Sequence, residues 1–361
     1  MNAAPIMIMA GGTGGHVFPA LAVAQALQQR DENVVWLGTA SGLEAQIVPA
    51  ADIPLDRIRV SGLRGKGILN WLRAPYRVLR SLVDALRVLN RRKPGVVLGM
   101  GGFASGPGGL AAWMLRLPLV IHEQNAAAGL TNRLLAGIAR EVLEAFPGSF
   151  SSSVNARLVG NPVRPEIFAL EDPEQRLGEH AGRLRVLILG GSQGALVLNR
   201  CVPAALAILP VNARPDIWHQ AGSVALDAAL DAYRRAGITA RVEVFIDDVA
   251  SAYDWADLVI CRAGALTVSE LAAAGLAAVL VPYPSAVDDH QTLNAAYLVK
   301  AGAAVLVPQP ELTAERLAKE IQSCARDRRV VIDRARAAHS LARPNATAEL
   351  VETCLAVKDA V

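Results

Sequence analysis

Short apolar runs alternate with helical patterns along the whole chain. The runs are rich in Val, Ile and Leu and are apolar at successive positions, which is typical of strands buried on both faces of a parallel sheet. The predicted strands are Ile6–Met9, Val34–Leu37, Val96–Leu98, Leu119–Ile121, Val186–Leu189, Ile217–His219, Val242–Phe245, Leu258–Ile260 and Val279–Val281. The helices predicted between them include Ala20–Gln29, Arg73–Asn90 and Ser269–Ala274. This alternation predicts an α/β fold with helices on both sides of each sheet.

The pattern of a strand followed by a glycine turn starts twice. Ile6–Met9 runs into Gly11–Gly15, and Val186–Leu189 runs into Gly190–Gly194. Each has the form of the first strand of a separate doubly wound domain. Between them, the Gly-Asn-Pro-Val-Arg-Pro run interrupts regular structure and places a hinge near residues 160–166. We therefore predict two domains, residues 1–163 and 164–340, with ligands bound in a cleft at the carboxyl ends of both sheets.

Composition agrees with two buried cores. The chain has 361 residues, about twice the ~150 of an ordinary domain. Hydrophobic residues make up 52% and charged residues 19%, which excludes a disordered chain. The four cysteines are widely spaced, which predicts reduced, buried thiols. No targeting segment precedes the first strand, and the glycine-rich stretch 96–115 is a poor membrane span, so we expect a soluble protein.

Charge is distributed unevenly. The net charge is only +3, but the segment from Arg57 to Lys93 carries eleven basic residues against one acid, Asp84. Trp, Tyr and Leu residues are interleaved with these charges, as in segments that lie on an anionic bilayer. The candidate docking residues are Trp71, Leu72, Arg73, Arg77 and Arg80. The alternative is a helix that covers the sheet and keeps its charged side in water; no motif supports a nucleic-acid partner.

Three glycine loops are candidate phosphate sites, because backbone N–H groups at a helix N-terminus attract anions. They are Gly11–Gly15, Gly99–Gly109 and Gly190–Gly194. The first lacks the Lys of a P-loop and the third Gly of a dinucleotide fingerprint. The second strand ends in Gly38-Thr39 rather than in the acid that holds an NAD ribose, which argues against NAD. For each loop taken alone, a simple packing turn is the alternative.

Six collinear motifs between residue 11 and about residue 296 resemble the bacterial MurG family, which adds N-acetylglucosamine to the lipid-linked peptidoglycan precursor. They are Gly11-Gly12-Thr13-Gly14-Gly15-His16-Val17-Phe18-Pro19, Gly99-Met100-Gly101-Gly102-Phe103, His122-Glu123-Gln124-Asn125 with Gly129-Leu130-Thr131-Asn132, Gly160-Asn161-Pro162-Val163-Arg164, Gly190-Gly191-Ser192-Gln193-Gly194-Ala195, and Arg262-Ala263-Gly264-Ala265-Leu266-Thr267-Val268-Ser269-Glu270. The resemblance implies a GT-B fold, in which two Rossmann-like domains face a central cleft. It also implies that residues 341–361 return to the first domain, and Ala348–Val357 has a helical pattern that allows this.

By resemblance, the donor is UDP-N-acetylglucosamine. The implied donor-binding residues are Thr13, Gly14, Gly15, Asn125, Arg164, Ser192, Ile246, Ala265, Leu266, Thr267, Val268, Ser269, Glu270 and Gln291. Gly12, Gly101 and Gly102 would form loops for the acceptor diphosphate. Glu270 would accept from the ribose hydroxyls, with a helix N-terminal acid as the alternative. Ser192 would donate to the donor diphosphate, with an N-cap as the alternative, and the backbone of Ile246 would contact uracil.

The acceptor implied is undecaprenyl-pyrophosphoryl-N-acetylmuramoyl-pentapeptide, whose C4 hydroxyl attacks the donor sugar with inversion. His16 is the candidate base, and the alternative is that it only orders its loop. No cofactor is implied, and since the pairs Asp247-Asp248 and Asp288-Asp289 are typical of ordinary loops, we expect no obligatory metal. We expect a peripheral enzyme on the cytoplasmic face of the inner membrane, with other cell-wall and division proteins as candidate partners. A UDP-N-acetylglucosamine 2-epimerase and a non-catalytic scaffold that binds UDP-sugar or membrane are the alternatives.

Overall fold

The structure is a computed structural model that describes residues 4–60, 74–180, 182–191, 194–284 and 289–360. The chain divides into two compact units. The first unit consists of Met1–Val163 together with Asn345–Val361, and the second unit is Arg164–Pro344. Each unit is an α/β structure built around its own parallel sheet.

The sheet of the first unit has seven parallel strands in the order β3-β2-β1-β4-β5-β6-β7. The central strand β1 pairs with β2 on one side and with β4 on the other, so the order reverses between β1 and β4. In open α/β sheets, ligands bind beyond the carboxyl ends of the strands at such a reversal. The strands are β1 Ile6–Met9, β2 Val34–Gly38, β3 Leu55–Arg57, β4 Val96–Gly99, β5 Leu119–Glu123, β6 Glu141–Glu144 and β7 Ala156–Leu158.

Helices cover both faces of this sheet. They are α1 Gly14–Gln28, α2 Glu44–Ala50, α3 Ala74–Arg92, α4 Ser105–Met114 and α5 Leu130–Leu135. Side chains of β1 alternate between the two layers, as a pleated strand requires. Ile6 and Ile8 lie in one buried cluster, and Met7 and Met9 lie in the other. The expectation of helices on both sides of the sheet is therefore confirmed.

The second unit repeats the same topology with six parallel strands in the order β10-β9-β8-β11-β12-β13. The reversal lies between β8 and β11, which are paired in register from Val186 with Leu258 to Leu189 with Cys261. The strands are β8 Arg185–Leu189, β9 Asp216–Gln220, β10 Arg241–Glu243, β11 Leu258–Cys261, β12 Ala277–Leu280 and β13 Ala304–Leu306. The helices are α6 Pro165–Phe168, α7 Pro173–Glu179, α8 Leu196–Ile208, α9 Leu226–Arg235, α10 Val249–Trp255, α11 Ala265–Ala274, α12 His290–Lys300, α13 Ala314–Arg326 and α14 Arg328–His339, with 3₁₀ turns at Val211–Ala213 and Gln309–Glu311.

The last helix, α15 (Ala346–Asp359), belongs to the first unit. Leu350, Val351, Cys354 and Val357 are buried in the same cluster as the β1 isoleucines. The edges of the helix form ion pairs with that unit: Lys358 with Glu32, Arg30 with Glu352, and Arg157 with Glu349. The end of the chain therefore completes one layer of the N-terminal core.

The predicted strands that are apolar on both faces are present in the structure. Four further strands were not predicted, because they are more polar or shorter. The strands that the pattern missed are β3, β6, β7 and β13. Strand β10 ends at Glu243, two residues earlier than predicted, and α11 begins at Ala265 rather than at Ser269. All four cysteines are free thiols; three are buried and Cys201 is partly exposed. No helix within the described residues is long and apolar enough to cross a membrane.

Candidate functional site

The first glycine loop connects β1 to α1, and the buried carboxylate of Glu44 accepts hydrogen bonds from it. Its Oε2 accepts from the backbone N–H of Gly12 at 3.0 Å, and its Oε1 accepts from the N–H and hydroxyl of Thr39 at 2.9 and 2.6 Å. Burial alone would raise the pKa of Glu44, but these hydrogen bonds outweigh it and hold the pKa below its usual value. The Gly12 N–H predicted for the acceptor diphosphate is therefore already satisfied by Glu44.

The amides that remain at this loop belong to the start of α1. His16 and Val17 both donate their N–H to the carbonyl of Thr13. Gly14 and Gly15 occupy the first two helical positions, where an amide has no intrahelical acceptor. Their N–H groups lie at the positive end of the helix dipole, so this is the part of the loop suited to an anion.

The second glycine loop, after β4, lies directly against the first. Gly101 and Gly102 have φ of +86° and +81°. A Cβ on Gly102 would lie 2.1 Å from the carbonyl oxygen of Gly11, and one on Gly101 would lie 2.7 Å from His16 Nδ1. The two glycines are therefore required for close packing of the two loops, whatever they bind.

His16 is partly exposed and faces the loop that follows β5. Its Nδ1 lies 3.0 Å from Oε1 of Gln124. The neighbouring His122 is fully buried and bonded through Nε2 to the carbonyl of Gly160 at 2.9 Å. Burial lowers the pKa of His122 to about 4, so it is neutral at pH 7 and excluded from solvent. Of the two histidines, only His16 is accessible for proton transfer.

Glu123, at the end of β5, is fully occupied as a structural acceptor. Its Oε1 accepts from the backbone and side-chain amides of Asn125 at 2.9 and 3.1 Å. Its Oε2 accepts from Gly129 N–H and from Asn132 Nδ2 at 3.1 and 2.9 Å. All four of these donors come from the loop and helix that follow β5. Glu123 therefore fixes the side chain of Asn125.

In the second unit, Glu270 is buried between two donors. Arg164 Nη2 lies 3.1 Å from Glu270 Oε1, and the Tyr253 hydroxyl donates to Oε2 at 3.0 Å. Burial raises the pKa of Glu270, and Arg164 and Tyr253 act in the opposite direction. Glu270 is the sixth residue of α11 and not in its first turn, so the alternative of a helix N-terminal acid is wrong. Each of its oxygens keeps acceptor capacity for further hydroxyl donors.

The N-terminus of α11 carries the rest of the predicted donor motif. Gly264 precedes the helix, and its carbonyl accepts from the N–H of Val268 at 2.9 Å. The amides of Ala265, Leu266 and Thr267 thus lie at the open start of the helix. Val268 is fully buried, and the Ser269 hydroxyl donates to the carbonyl of Ala265 at 3.0 Å. Ala265, Leu266 and Thr267 therefore present backbone donors on the same helix as Glu270.

Two further predicted donor residues are held by contacts that the sequence did not indicate. The N–H of Ile246, a buried residue, donates to Gln220 Oε1 at 3.1 Å, which leaves the Ile246 carbonyl for a ligand. Gln291 Oε1 accepts from the N–H of Tyr283 at 2.8 Å, which leaves the Gln291 amide as a donor. Gln220 was missed because its partner lies 26 residues further along the chain.

The third glycine loop is partly outside the described residues. Ser192 lies in the undescribed part, as do Trp71, Leu72 and Arg73 of the basic segment. The flanking Gly194 has φ of +77°, and a Cβ there would lie 2.1 Å from the carbonyl oxygen of Ala221. This glycine is therefore needed for contact with the loop that follows β9.

Part of the positive charge of the basic segment is neutralised by ion pairs. Arg59 forms a two-pronged contact with Asp84, at 2.8 and 2.6 Å. Arg91 and Arg92 both bond to Asp56, which lies one residue before the segment. The count of eleven bases against one acid therefore overstates the positive field at this surface. Among the predicted docking residues, Arg80 is exposed and Arg77 is partly exposed.

Helix α3 has two different halves. Ala85 and Leu89 in its C-terminal half are buried in the core, so the interpretation of a helix covering the sheet holds there. Its N-terminal half exposes Tyr76 and Leu79. The next helices, α4 against α3 and α5 against α4, expose further large apolar side chains. These are Leu110, Trp113, Met114, Leu130 and Leu134. Sequence reasoning confined to residues 57–93 missed this group.

Two of the loop acids considered above for metal binding have local structural roles, and Asp288 lies outside the described residues. Asp248 caps α10 through the N–H of Ser251 at 3.0 Å, and Asp289 accepts from the Thr292 hydroxyl at 2.7 Å. Within the described ranges, no group of three or more His, Cys, Asp or Glu side chains is arranged as a metal site.

Comparison with known proteins places this architecture in one family. The N-terminal domain model of glycosyltransferase family 28 matches residues 6–144, and its C-terminal domain model matches residues 185–350. A Marinobacter nauticus protein is 58% identical over 349 residues, covering 97% of this chain and 96% of the relative. A Nitrosococcus oceani protein is 56% identical over 352 residues, covering 98% of each chain. Both are named UDP-N-acetylglucosamine--N-acetylmuramyl-(pentapeptide) pyrophosphoryl-undecaprenol N-acetylglucosamine transferase.

Solved structures agree. The crystal structure of Acinetobacter baumannii MurG superposes with a TM-score of 0.86 at 42% identity, covering 97% of this chain and 99% of that chain. The calicheamicin glycosyltransferase, at 17% identity and a TM-score of 0.70, covers 99% of this chain and 98% of its own, and so shares the fold. The predicted GT-B class is confirmed. With both family-28 domains present and relatives more than half identical over nearly its full length, the chain belongs to the MurG family of N-acetylglucosamine transferases.

Proposed function

We propose that this enzyme transfers N-acetylglucosamine from UDP-N-acetylglucosamine to the C4 hydroxyl of the N-acetylmuramoyl group in undecaprenyl-pyrophosphoryl-N-acetylmuramoyl-pentapeptide. The single observation that carries the proposal is the buried Glu270 carboxylate in the second turn of α11, the helix whose N-terminal amides lack intrahelical acceptors. Together they offer acceptors for sugar hydroxyls and donors for phosphate, which is the chemistry of a nucleoside diphosphate. The names of the relatives support the sugar and the acceptor.

The second unit is proposed as the donor domain. Glu270 accepts from the ribose hydroxyls, oriented by Arg164 and Tyr253. The Ile246 carbonyl accepts from the uracil N3–H, since its own N–H is engaged by Gln220. Gln291 donates its side-chain amide to a hydroxyl of the donor sugar. Ser192 remains a proposed donor to the diphosphate.

Departure of UDP needs stabilisation of the charge that develops on the diphosphate. Backbone amides at the start of α11 supply it, and they need no reorganisation during the reaction. For that reason we propose that no obligatory metal takes part in the chemical step. Gly14 and Gly15 at the start of α1 offer an equivalent site in the first unit, and they replace Gly12 as the proposed anion contacts.

The first unit is proposed as the acceptor domain, with His16 as the base. Its accessible imidazole takes the proton of the attacking hydroxyl as the new glycosidic bond forms and the bond to UDP breaks. Asn125, fixed by Glu123, is suited to hold a sugar hydroxyl. The base role rests on geometry within this unit: His16 lies at the carboxyl end of β1, against the loop after β4.

The apolar side chains exposed on α3, α4 and α5 are proposed as the surface that meets the membrane, since the acceptor is lipid-linked. Exposed basic residues on the same helices, Arg80 and Arg133, suit anionic headgroups. Large exposed apolar groups ringed by charge are typical of such surfaces. We accordingly propose a peripheral enzyme of the cytoplasmic membrane face that supports cell-wall growth, cell shape and division.

Transfer of labelled N-acetylglucosamine to a short-chain lipid-linked muramoyl-pentapeptide, with EDTA present, tests the reaction. The expected result is labelled disaccharide product. Conversion of the donor without acceptor would instead favour the epimerase. Tight UDP binding without turnover would favour the non-catalytic scaffold. Absence of UDP binding would overturn the proposed donor site.

Cosedimentation with phosphatidylglycerol vesicles tests the docking surface. Arg80→Glu should weaken binding about tenfold, because an arginine near an anionic surface contributes about 1 kcal/mol and reversal of its charge costs more. Trp113→Ser should also weaken binding about tenfold, because it removes a large exposed apolar side chain from the proposed surface. The matched controls Arg235→Glu and Val211→Ser alter exposed residues of the second unit. Equal binding by all four variants would refute the proposed surface.

A further inference from the structure

A chain of hydrogen bonds runs from His16 into the interior of the first unit. His16 Nδ1 lies 3.0 Å from Gln124 Oε1. Gln124 Nε2 lies 3.1 Å from His122 Nδ1, and His122 Nε2 lies 2.9 Å from the carbonyl oxygen of Gly160. Gln124 and His122 are both buried, and only the His16 end of the chain reaches solvent.

The direction of every hydrogen bond in this chain follows from its inner end. A backbone carbonyl can only accept, so His122 carries a proton on Nε2. Because the ring is buried and neutral, its Nδ1 has a lone pair and accepts from the Gln124 amide. The Gln124 carbonyl oxygen then faces His16, and an amide oxygen accepts only. The proton in that contact therefore belongs to His16 Nδ1.

The orientation of the Gln124 amide is fixed by a second contact. Its Nε2 also lies 3.3 Å from the backbone carbonyl of His122. If the amide were rotated by 180°, its oxygen would face two acceptors, the His122 carbonyl and the His122 Nδ1 lone pair. The backbone around it is also held, since Asn161 Nδ2 donates to the Gln124 carbonyl at 3.0 Å and Asn132 Nδ2 to the His122 carbonyl at 3.2 Å.

We propose that Gln124 and His122 are positioning residues that hold neutral His16 with its proton on Nδ1, so that Nε2 is the atom that accepts the proton of the attacking hydroxyl. The inference rests on the proposed function for the role of His16, but the assignment of the tautomer does not. Neutral imidazole in water favours the opposite tautomer, with the proton on Nε2, in which the outer nitrogen has no lone pair for catalysis. The chain of hydrogen bonds from His16 through Gln124 and His122 to Gly160, called the relay below, therefore selects the tautomer of His16 that can act as a base.

The proton and electron balance is complete. The acceptor hydroxyl oxygen forms a bond to the anomeric carbon of the donor, and its proton moves to His16 Nε2. The bond from the anomeric carbon to the diphosphate oxygen breaks, and the electron pair leaves with UDP. His16 is then an imidazolium whose Nδ1–H still donates to Gln124 Oε1. It then loses the Nε2 proton to solvent. Gln124, an amide, takes no proton at any stage.

The titratable groups around the relay do not compete for this role. His122 faces Glu123 and His16, and Glu123 is engaged by its four amide donors. Gly101 packs against the same edge of His16 that contacts Gln124, because a Cβ on Gly101 would lie 2.7 Å from Nδ1 and 3.4 Å from Gln124 Oε1. Gly101 and Gln124 thus both lie at the Nδ1 edge of the His16 ring.

Long-range proton–nitrogen NMR of the ¹⁵N-histidine-labelled full chain tests the assignment directly. The wild-type protein should show His16 with Nδ1 protonated and Nε2 unprotonated at pH 8. The opposite tautomer would overturn the proposal, and this measurement needs no variant and no activity. His16→Ala supplies the assignment of the signal.

Two substitutions at residue 124 give opposite predictions. Gln124→Leu removes the acceptor, so His16 should revert to a proton on Nε2 and kcat should fall at least 100-fold. Gln124→Glu keeps an acceptor, so the Nδ1–H tautomer should persist and the acid limb of the pH profile of kcat/KM should move to higher pH. UDP affinity by calorimetry should change less than twofold in both variants, which verifies folding.

The outcomes separate the two proposals. An unchanged tautomer and an unchanged kcat in Gln124→Leu would refute the relay. Normal turnover in His16→Ala, with the wild-type tautomer as predicted, would refute the role of His16 as the base and leave the relay in place as a structural device. Absence of transfer by the wild-type protein, with the tautomer as predicted, would refute the proposed function only.

Discussion

The Tyr253 hydroxyl donates to Glu270 Oε2 at 3.0 Å, so the carboxylate proposed to bind ribose is held by a residue from a different helix. Tyr253 is fully buried, and burial raises its pKa well above the usual value, so it remains a donor throughout the physiological range. With Arg164 on the other oxygen, the carboxylate has one favoured orientation. The three side chains of the proposed donor site are therefore already held in place in the absence of a ligand.

Tyr253→Phe should weaken binding of UDP-N-acetylglucosamine without slowing the chemical step. A hydrogen bond to a charged group contributes about 1.5–3 kcal/mol, so KM for the donor should rise roughly tenfold or more while kcat changes little. Steady-state kinetics with saturating acceptor measures both. The matched control is Tyr297→Phe, which removes a hydroxyl bonded to the Leu341 carbonyl elsewhere in the same unit. A large loss of kcat in Tyr253→Phe, with KM unchanged, would contradict the positioning of Glu270.

The affinity for UDP should depend on pH through Glu270. Burial already raises its pKa, and the Arg164 guanidinium lowers it. Removing that charge in Arg164→Gln should raise the pKa further. Protonation then removes an acceptor at a higher pH, so UDP affinity should begin to fall at a higher pH than in the wild type as the solution is acidified. Calorimetric titrations between pH 8 and pH 5 measure this shift.

Arg164→Lys is the control for that experiment, because it keeps the positive charge but replaces the guanidinium with an ammonium group. Its pH dependence should stay close to that of the wild type. The account of Glu270 would be wrong if Arg164→Gln and Arg164→Lys gave the same pH profile.

Gly102→Ala should disrupt the packing of the two glycine loops. The added Cβ would lie 2.1 Å from the Gly11 carbonyl oxygen in a backbone conformation with φ of +81°. A clash with backbone at a positive φ should lower the free energy of unfolding by about 2 kcal/mol or more. Chemical denaturation compares it with Gly129→Ala, where a Cβ meets no atom within 4 Å. Equal stability of the two variants would contradict the close approach of the loops.

The second unit should lose stability as the pH falls below neutrality because of His219. This histidine is fully buried, bonded to Tyr233 and Asn199, and burial lowers its pKa to about 4. His219 becomes protonated near pH 6.5 in the unfolded chain and only near pH 4 in the folded chain. The unfolding free energy of the second unit is therefore highest above pH 6.5 and falls as the pH is lowered from 6.5 to 4. The loss is up to about 3 kcal/mol.

The pH dependence can be assigned by substitution. His219→Asn should flatten the dependence of the unfolding free energy on pH between 6.5 and 4. His339→Asn removes an exposed histidine of the same unit and should leave the dependence unchanged. If His219→Asn kept the full slope, another group would be responsible.

The sequence was informative where one local pattern determines the structure. Apolar strands that lead into glycine loops identified β1 and β8, and motif resemblance led to the proposals for Glu270 and His16. The supporting contacts could not be predicted, because they join residues far apart in the chain: Gly12 with Glu44, 32 residues apart, and His16 with Gln124, 108 residues apart. Strands such as β7, with an exposed Arg157, lack the uniform burial on which the prediction depended.

The stereochemistry and acceptor dependence of turnover test the central claim most directly. Wild-type enzyme should release UDP only when the muramoyl acceptor is present, and NMR of the product should show a β-linked N-acetylglucosamine at C4 of the muramoyl sugar. That result means a single inverting displacement by the acceptor hydroxyl. An α-linked product, or donor conversion in the absence of acceptor, would contradict the account.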